Sequence, residues 1–203
     1  MYPVMLNLAS KKVVVAGGGK IATRRLSSLI ETGAQIQVVS LTFTNTIVKW
    51  AEEGKLEVRK KAIEKEDIED AFFIIAATDS LEINQRIAEW SHPHQLINVV
   101  DKKESGNIVI PAHLKRGDLS ITVSTNGASP VLTKLIKNEL AEKYDHSFAE
   151  FVSFLKQCRE IIHGSALEEE SKLRLLKECA QPSYLEKPDL RLQFLQRIRE
   201  LRG

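Results

Sequence analysis

Residues 13–30, VVVAGGGKIATRRLSSLI, join an apolar run to three glycines and then to a stretch with helical spacing. The run is continuously apolar, which is typical of a strand covered on both faces in a parallel sheet. After the glycines, apolar side chains recur at helical spacing as far as Ile30, and Gly33 is placed to end the helix. This stretch therefore predicts a strand, a tight glycine turn and a helix.

Further apolar runs have the character of the first, and they occupy residues 36–39, 72–76 and 96–100. A weaker strand is predicted at 55–59, and helical patterns separate the runs. Strands that alternate with helices predict βαβ units and a doubly wound parallel sheet. The fold class expected for this part of the chain is therefore α/β, with a Rossmann-like sheet.

The pattern changes near residue 106. GNIVIP (106–111) and LSITVS (119–124) are predicted as short β segments with no helix between them. A helix follows with Ser129 as its N-cap and Pro130 at its first position, and from Phe148 onward the chain has helical spacing. Boundaries near 113 and 147 divide the chain into a sheet domain (1–113), a small α+β region (114–147) and a helical domain (148–203).

The composition of the chain excludes several classes of partner. The 203 residues include 29 basic and 27 acidic side chains, and this near-balance gives no sign of binding to nucleic acid or to a membrane surface. No apolar run approaches the roughly 20 residues of a membrane span, and the N-terminus lacks the pattern of a signal peptide. Cys158 and Cys179 are expected to be reduced, buried thiols, and the expected location is the cytoplasm.

The glycine turn fits the pattern G-x-G-x-x-A through Gly17, Gly19 and Ala22. The first glycine permits the tight turn, the second lets a diphosphate approach the backbone, and the alanine lets the helix pack near the strand. Free N–H groups and the positive helix end would then hold the anion. The alternative is a glycine turn with a structural role alone. The residues predicted to bind a dinucleotide here are Gly17, Gly18, Gly19, Lys20 and Ile21.

The segment after the second strand lacks the acidic residue that usually bonds the ribose of NAD. No Asp, Glu or Arg lies between Gly33 and Trp50, so the residues alone leave NAD and NADP open. Ser40 and Thr42 could bond the ribose through their hydroxyl groups, and the dinucleotide is predicted to lie over Ser40, Leu41 and Thr42. Lys20 and Arg24 either touch the phosphates or are solvated.

Small residues follow the strand at 72–76. In AATD (76–79) they leave room for a nucleotide at the carboxyl edge of the sheet, so Thr78 is predicted to bind the cofactor. Asp79 and Glu82 have the spacing of a capping box, so Asp79 is predicted to cap the next helix.

Asp101 ends the apolar strand NVVD, where such folds place their chemistry. It is either a general base that accepts a proton or the first residue of a turn. His113 either contacts substrate or has a structural role. The loop STNGASP (124–130) opens a helix and is either an anion site for a polycarboxylate or an ordinary capped turn. No histidine or cysteine cluster suggests a metal site.

Four segments in this order are similar to one family: VVVAGGGKIATRRLSSLIETGAQIQVVSLTF (13–43), AATDSLEINQRIAEW (76–90), NVVD (98–101) and VSTNGASPVLTKLIKNEL (123–140). They resemble the precorrin-2 dehydrogenases, which also form the N-terminal region of multifunctional siroheme synthases. The resemblance runs from about residue 3 to about 145. The helical tail resembles the family only in size and character.

The resemblance implies an NAD-dependent oxidation of precorrin-2 to sirohydrochlorin, on the route to siroheme and in some cases cobalamin. It also implies a homodimer with a central dimerisation region and a helical C-terminal domain. By the same resemblance, Asp101 serves catalysis, SLTF contacts the cofactor, and Ser124 and Thr125 match the family's serine-rich loop, with Thr125 as a departure that keeps the hydroxyl. Asn126 of the same loop and His113 complete the residues predicted to bind substrate. A separate chelatase is the expected pathway partner.

Two alternatives stay open. Some family members also insert iron, which would make this chain a bifunctional dehydrogenase and ferrochelatase. A regulatory Rossmann module that senses the nucleotide without catalysis would explain the glycine loop and the tail, but it would not explain STNGASP.

Overall fold

The computed structural model describes residues 1–100 and 102–201. The chain forms two compact units, Met1–Ile110 and Pro111–Gly203. In the first unit, five parallel strands form one sheet in the order β3-β2-β1-β4-β5. The strands are β1 (Lys12–Ala16), β2 (Gln35–Ser40), β3 (Glu57–Lys60), β4 (Phe73–Ala76) and β5 (Leu96–Val99). The predicted α/β parallel sheet is confirmed.

Three helices cover the sheet: α1 (Lys20–Leu29), α2 (Asn45–Glu52) and α3 (Leu81–Trp90). Alternate residues of a strand point to opposite faces, so Val13 and Val15 pack with α1 and α2, and Val14 packs with α3 on the other face. These three valines are completely buried, which explains why the strand is continuously apolar rather than alternating.

The end of the first helix agrees with the sequence. A 3₁₀ turn, Ile30–Thr32, continues α1, and Gly33 then takes a left-handed conformation with φ of 72°. Because a residue with a side chain rarely adopts this conformation, the glycine ends the helix as predicted.

Two predictions of local structure are wrong. Helix α3 is capped by Ser80, whose hydroxyl oxygen accepts a hydrogen bond from the Ile83 N–H, and not by Asp79. Residues 106–111 form no strand. Asn107 instead attaches this segment to β5, because its side-chain oxygen accepts from the Ile97 N–H at 2.8 Å and its amide donates to the Gln95 carbonyl at 2.7 Å. The asparagine side chain thereby takes the place of ladder hydrogen bonds.

The second unit begins with an antiparallel hairpin of β6 (Ala112–Arg116) and β7 (Leu119–Val123). Helix α4 (Pro130–Lys143) follows, with Ser129 as its N-cap and Pro130 at its first position, as predicted. Four more helices complete the unit: α5 (Ser147–His163), α6 (Glu169–Cys179), α7 (Pro182–Glu186) and α8 (Pro188–Glu200).

The helices after α4 share an apolar core that includes Phe154, Ile162 and Phe194. Cys158 and Cys179 lie in this core, which confirms the prediction that they are buried. Within the described part of the chain, no helix combines the length and apolar character needed to cross a membrane.

Candidate functional site

The glycine turn between β1 and α1 is enclosed on two sides by backbone. Gly17 has φ of 113°, and a Cβ atom there would lie 2.2 Å from the Ala77 carbonyl oxygen. A Cβ on Gly18 would lie 2.0 Å from the Thr42 carbonyl oxygen. Both distances are far below van der Waals contact, so only glycine permits the segments after β2 and β4 to come this close to the turn.

Gly19 differs from its two neighbours because a Cβ there would meet nothing within 4 Å. It is the N-cap of α1, and the helix start has neither a side-chain cap nor an acidic residue in its first turn. Lys20 and Ile21 are exposed beside it. Helix N–H groups and the positive end of the helix dipole therefore face open space, where an anion such as a diphosphate fits. Behind this opening, Ala22 is completely buried against the sheet core.

The segment after β2 is held against the glycine turn by Thr44. Its N–H donates to the Gly18 carbonyl at 2.9 Å, and its hydroxyl lies 2.8 Å from the Thr23 hydroxyl on α1. The predicted ribose contacts are accessible in this segment, since Ser40 is half-buried while Leu41 and Thr42 are exposed. Serine and threonine thus line the edge where many dinucleotide sites have a carboxylate.

The segment after β4 is held by Asn84, which the sequence analysis did not identify. Its side-chain oxygen accepts from the Thr78 N–H at 3.0 Å, and its side-chain amide donates to the Thr78 carbonyl at 3.1 Å. Asn84 is only 1% exposed, on the sheet-facing side of α3 with Ile87. A polar residue in line with the apolar positions of an amphipathic helix is the sequence signal that could have found it.

Asp101, the predicted catalytic residue, lies outside the described residues. The Val100 N–H donates to the Ala76 carbonyl at 3.1 Å, so Val100 lies beside the end of β4. This is the carboxyl edge, on which the glycine turn also lies.

His113 lies on β6 opposite Thr122 of β7, and its ring Nε2 lies 2.6 Å from the hydroxyl oxygen of the diagonal neighbour Ser120. Burial lowers the pKa of His113 below its ordinary value, and the charges of Lys115 and Lys137 lower it further. The neutral imidazole is therefore favoured, and it lies among cationic side chains that would attract a carboxylate.

The loop before α4 is held by its own side chains. The Thr125 hydroxyl oxygen accepts from the Ser129 N–H at 3.0 Å and lies 3.1 Å from the Thr133 hydroxyl, so Thr125 supports the loop from inside. Ser124 and Asn126 are exposed, and Asn126 has a positive φ of 49°. Of the three residues predicted for substrate binding in this loop, these two are accessible to a ligand.

The described residues contain no group of three or more His, Cys, Asp and Glu side chains placed to hold a metal ion. The roles predicted for the individual site residues stay predictions.

Comparison with known proteins finds three family models that together match most of the chain. A family model described as "Putative NAD(P)-binding" matches residues 4–112, one described as "Sirohaem biosynthesis protein central" matches 116–143, and one described as "SirC C-terminal domain" matches 148–194. The chain is similar to a solved structure of "SirC, precorrin-2 dehydrogenase", with 40% identity and a TM-score of 0.87, over 98% of this chain and all of that one.

Curated relatives give the same result. A precorrin-2 dehydrogenase of Priestia megaterium is 40% identical over 98% of both chains. The precorrin-2 dehydrogenase of Bacillus subtilis is 45% identical over 78% of this chain and 98% of its own. A siroheme synthase of Xylella fastidiosa is 31% identical over 87% of this chain but only 38% of its own, so the similarity covers part of that longer protein.

Proposed function

The chain belongs to the precorrin-2 dehydrogenase family, and from this premise we propose that it oxidises precorrin-2 to sirohydrochlorin with NAD as the oxidant. The structural observation that carries the proposal is the open start of α1 at Gly19, which follows two glycines enclosed by the segments after β2 and β4. The reaction places the protein in siroheme biosynthesis.

Residues around the glycine turn fit the cofactor. The first N–H groups of α1 would hold the diphosphate, because Gly19 leaves space for it and Lys20 and Ile21 are exposed beside it. Ser40, Leu41 and Thr42 would hold the ribose, and Thr78 would contact the cofactor at the end of β4; Leu41 and Thr42 are exposed, and Ser40 and Thr78 are half-buried. When bound, NAD supplies the acceptor for the hydride that leaves precorrin-2.

Dehydrogenation also releases a proton from the substrate, and Asp101 is proposed as the base that accepts it. Ser124, Asn126 and His113 are proposed to bind the carboxylate side chains of the tetrapyrrole, assisted by the lysines near His113. Thr125 contributes by fixing the loop that presents Ser124. The protein's groups bind the substrate and supply charge, while the cofactor supplies the redox chemistry.

A homodimer is proposed, with residues 114–147 as the dimerisation region. In the sequence this region follows the sheet domain (1–113) and precedes the helical domain (148–203). Helix α4 supports this assembly because none of its residues is buried, and Val131, Leu132 and Leu135 are 71%, 47% and 55% exposed. Exposed apolar side chains grouped on one helix are typical of an interaction surface. Free buried cysteines are consistent with a reducing compartment, and the proposed location is the cytoplasm.

The function is tested by mixing the protein with NAD and precorrin-2 and following NADH absorbance and the sirohydrochlorin spectrum. Wild-type protein is expected to produce both. Asp101→Ala is expected to bind NAD as wild type does but to turn over at least about 100-fold more slowly, since general acid–base catalysis contributes about 10² to 10⁴. Unchanged turnover in this variant would remove Asp101 from the mechanism.

Two further outcomes separate the alternatives. Tight NAD binding without precorrin-2 oxidation would favour a nucleotide-sensing module over an enzyme. Ferrous iron is then added to the sirohydrochlorin formed, with and without protein. Iron insertion at the rate measured without protein supports a stand-alone dehydrogenase with a separate chelatase, and faster insertion with protein identifies a bifunctional enzyme.

A further inference from the structure

Asn84 forms a reciprocal pair of hydrogen bonds with the backbone of Thr78. Its oxygen accepts from the Thr78 N–H at 3.0 Å while its amide donates to the Thr78 carbonyl at 3.1 Å. This exchange of an N–H and a C=O is the pattern by which two antiparallel strands pair. The Asn84 oxygen also accepts a hydrogen bond from the Thr78 hydroxyl at 2.8 Å. A side chain of α3 thus takes the place of a neighbouring strand where β4 has ended.

This hydrogen-bonded turn forms one wall of the glycine turn. The residue before Thr78 is Ala77, whose carbonyl oxygen would lie 2.2 Å from a Cβ on Gly17. The Ala77 N–H donates to the Ala16 carbonyl at 2.8 Å, which attaches the segment to the end of β1. Thr78 is half-buried, whereas Asn84 is 1% exposed. A ligand at the sheet edge would therefore touch Thr78, and Asn84 would act behind it.

We propose that Asn84 is a positioning residue for the cofactor, because it holds the Ala77–Thr78 turn in the conformation that the dinucleotide requires. The inference rests on the proposed cofactor site at the glycine turn. Without the Asn84 side chain, the N–H and C=O of Thr78 lose their partners, and the turn gains alternative conformations. The cofactor must then select the competent conformation, which weakens its apparent affinity.

Calorimetric titration of the full-length protein with NAD, in the absence of precorrin-2, tests the inference. Asn84→Ala is expected to raise the Kd for NAD about tenfold, the ratio that corresponds to the loss of about one to two hydrogen bonds. Asn84→Leu keeps the branched shape of the side chain but has no hydrogen-bonding group, so a similar increase in Kd is expected.

Gln95→Ala is the matched control. Gln95 is also buried in the first unit, and its amide donates to the carbonyls of Ile68 and Ala71 at 2.6 and 2.8 Å. It precedes β5, so it lies at the amino edge of the sheet, away from the glycine turn. This variant is expected to lower the melting temperature and to leave the Kd for NAD unchanged.

Failure of the positioning role and failure of the proposed cofactor site give different results in this titration. If wild type fails to bind NAD, the proposed cofactor site is wrong. If wild type binds and folded Asn84→Ala binds equally well, only the positioning role is wrong. If Gln95→Ala raises the Kd for NAD as much as Asn84→Ala does, the weaker binding results from general destabilisation, and the positioning role of Asn84 is also wrong. Should Asn84→Ala not fold, Asn84→Leu decides, and an unchanged Kd there rejects the inference.

Discussion

The helices of the sheet unit and helix α4 of the second unit bury their apolar residues to very different extents. Helices α1, α2 and α3 each bury at least one large aliphatic side chain completely, namely Leu26, Ile47 and Ile87. Helix α4 is longer than any of them and buries none. The sheet unit therefore completes its core within itself, whereas α4 presents apolar surface that a second chain can cover. Substitutions at the glycine turn should therefore act on ligand binding or on the folding of one chain, whereas substitutions on α4 should act on the association of two chains.

The largest effect is expected at the glycine turn, where binding can be separated from folding. Gly19→Asp is expected to weaken NAD binding more than about 100-fold, because it places a negative charge at the helix N-terminus that holds the diphosphate. The melting temperature is expected to stay near that of wild type, since a Cβ on Gly19 meets nothing within 4 Å. Titration with NAD and thermal unfolding measure the two effects.

Gly18→Ala is the contrasting variant. Its Cβ would lie 2.0 Å from the Thr42 carbonyl, so a loss of thermal stability is expected even without ligand. Normal NAD affinity in Gly19→Asp would place the diphosphate elsewhere in the molecule.

The second-largest effect is expected on the association of the dimer through α4. Leu135 is 55% exposed, and Leu135→Lys is expected to raise the dissociation constant of the dimer at least about tenfold by placing a charge in the interface. Analytical ultracentrifugation over a range of protein concentrations measures it. Leu192→Lys makes the same substitution at a leucine of α8 that is 70% exposed, and it is expected to leave the dimer unchanged. Equal dissociation of the two variants would mean that α4 is not the interface.

The smallest effect is a pH dependence in the second unit. Since burial and two lysines lower the pKa of His113 in the folded state, the unfolded chain binds this proton more readily. The contribution of His113 to the free energy of unfolding should therefore be fully present above the ordinary histidine pKa of about 6.5. It should be lost as the pH falls through the lower folded-state pKa. His113→Gln is expected to flatten this part of the profile.

Urea midpoints measured from about pH 7 downward test the prediction against His146→Gln, which replaces an exposed histidine of the same unit. If His113→Gln has the same dependence of urea midpoint on pH as wild type, His113 is not the cause of that dependence.

Several features of the fold could be predicted because they depend on neighbouring residues in the sequence. The unbroken apolar runs indicated strands buried on both faces, and the sheet has them there. Gly33 and Ser129 were identified as helix ends because the left-handed conformation and the N-cap each favour few residue types. Such preferences are properties of the local backbone.

Other features could not be predicted from local patterns. Asp79 and Ser80 are adjacent, and both are common N-cap residues, so the pattern alone did not distinguish them. The segment 106–111 has the apolar content of a strand, yet the Asn107 side chain attaches it to β5 without a ladder. In both places the outcome depends on partners that the local sequence does not specify.

The sequence by itself determined the alternation of strands and helices as far as β5, the glycine turn and its position before α1. These follow from side-chain periodicity and from the conformations that glycine alone adopts readily. Only the tertiary structure decided why Gly18 must be glycine, which hydroxyl groups hold the turn, and that Asn84 supports Thr78. The physical reason is that each of these depends on contacts between segments distant in sequence, which exist only once the parallel strands have brought their carboxyl ends to one edge.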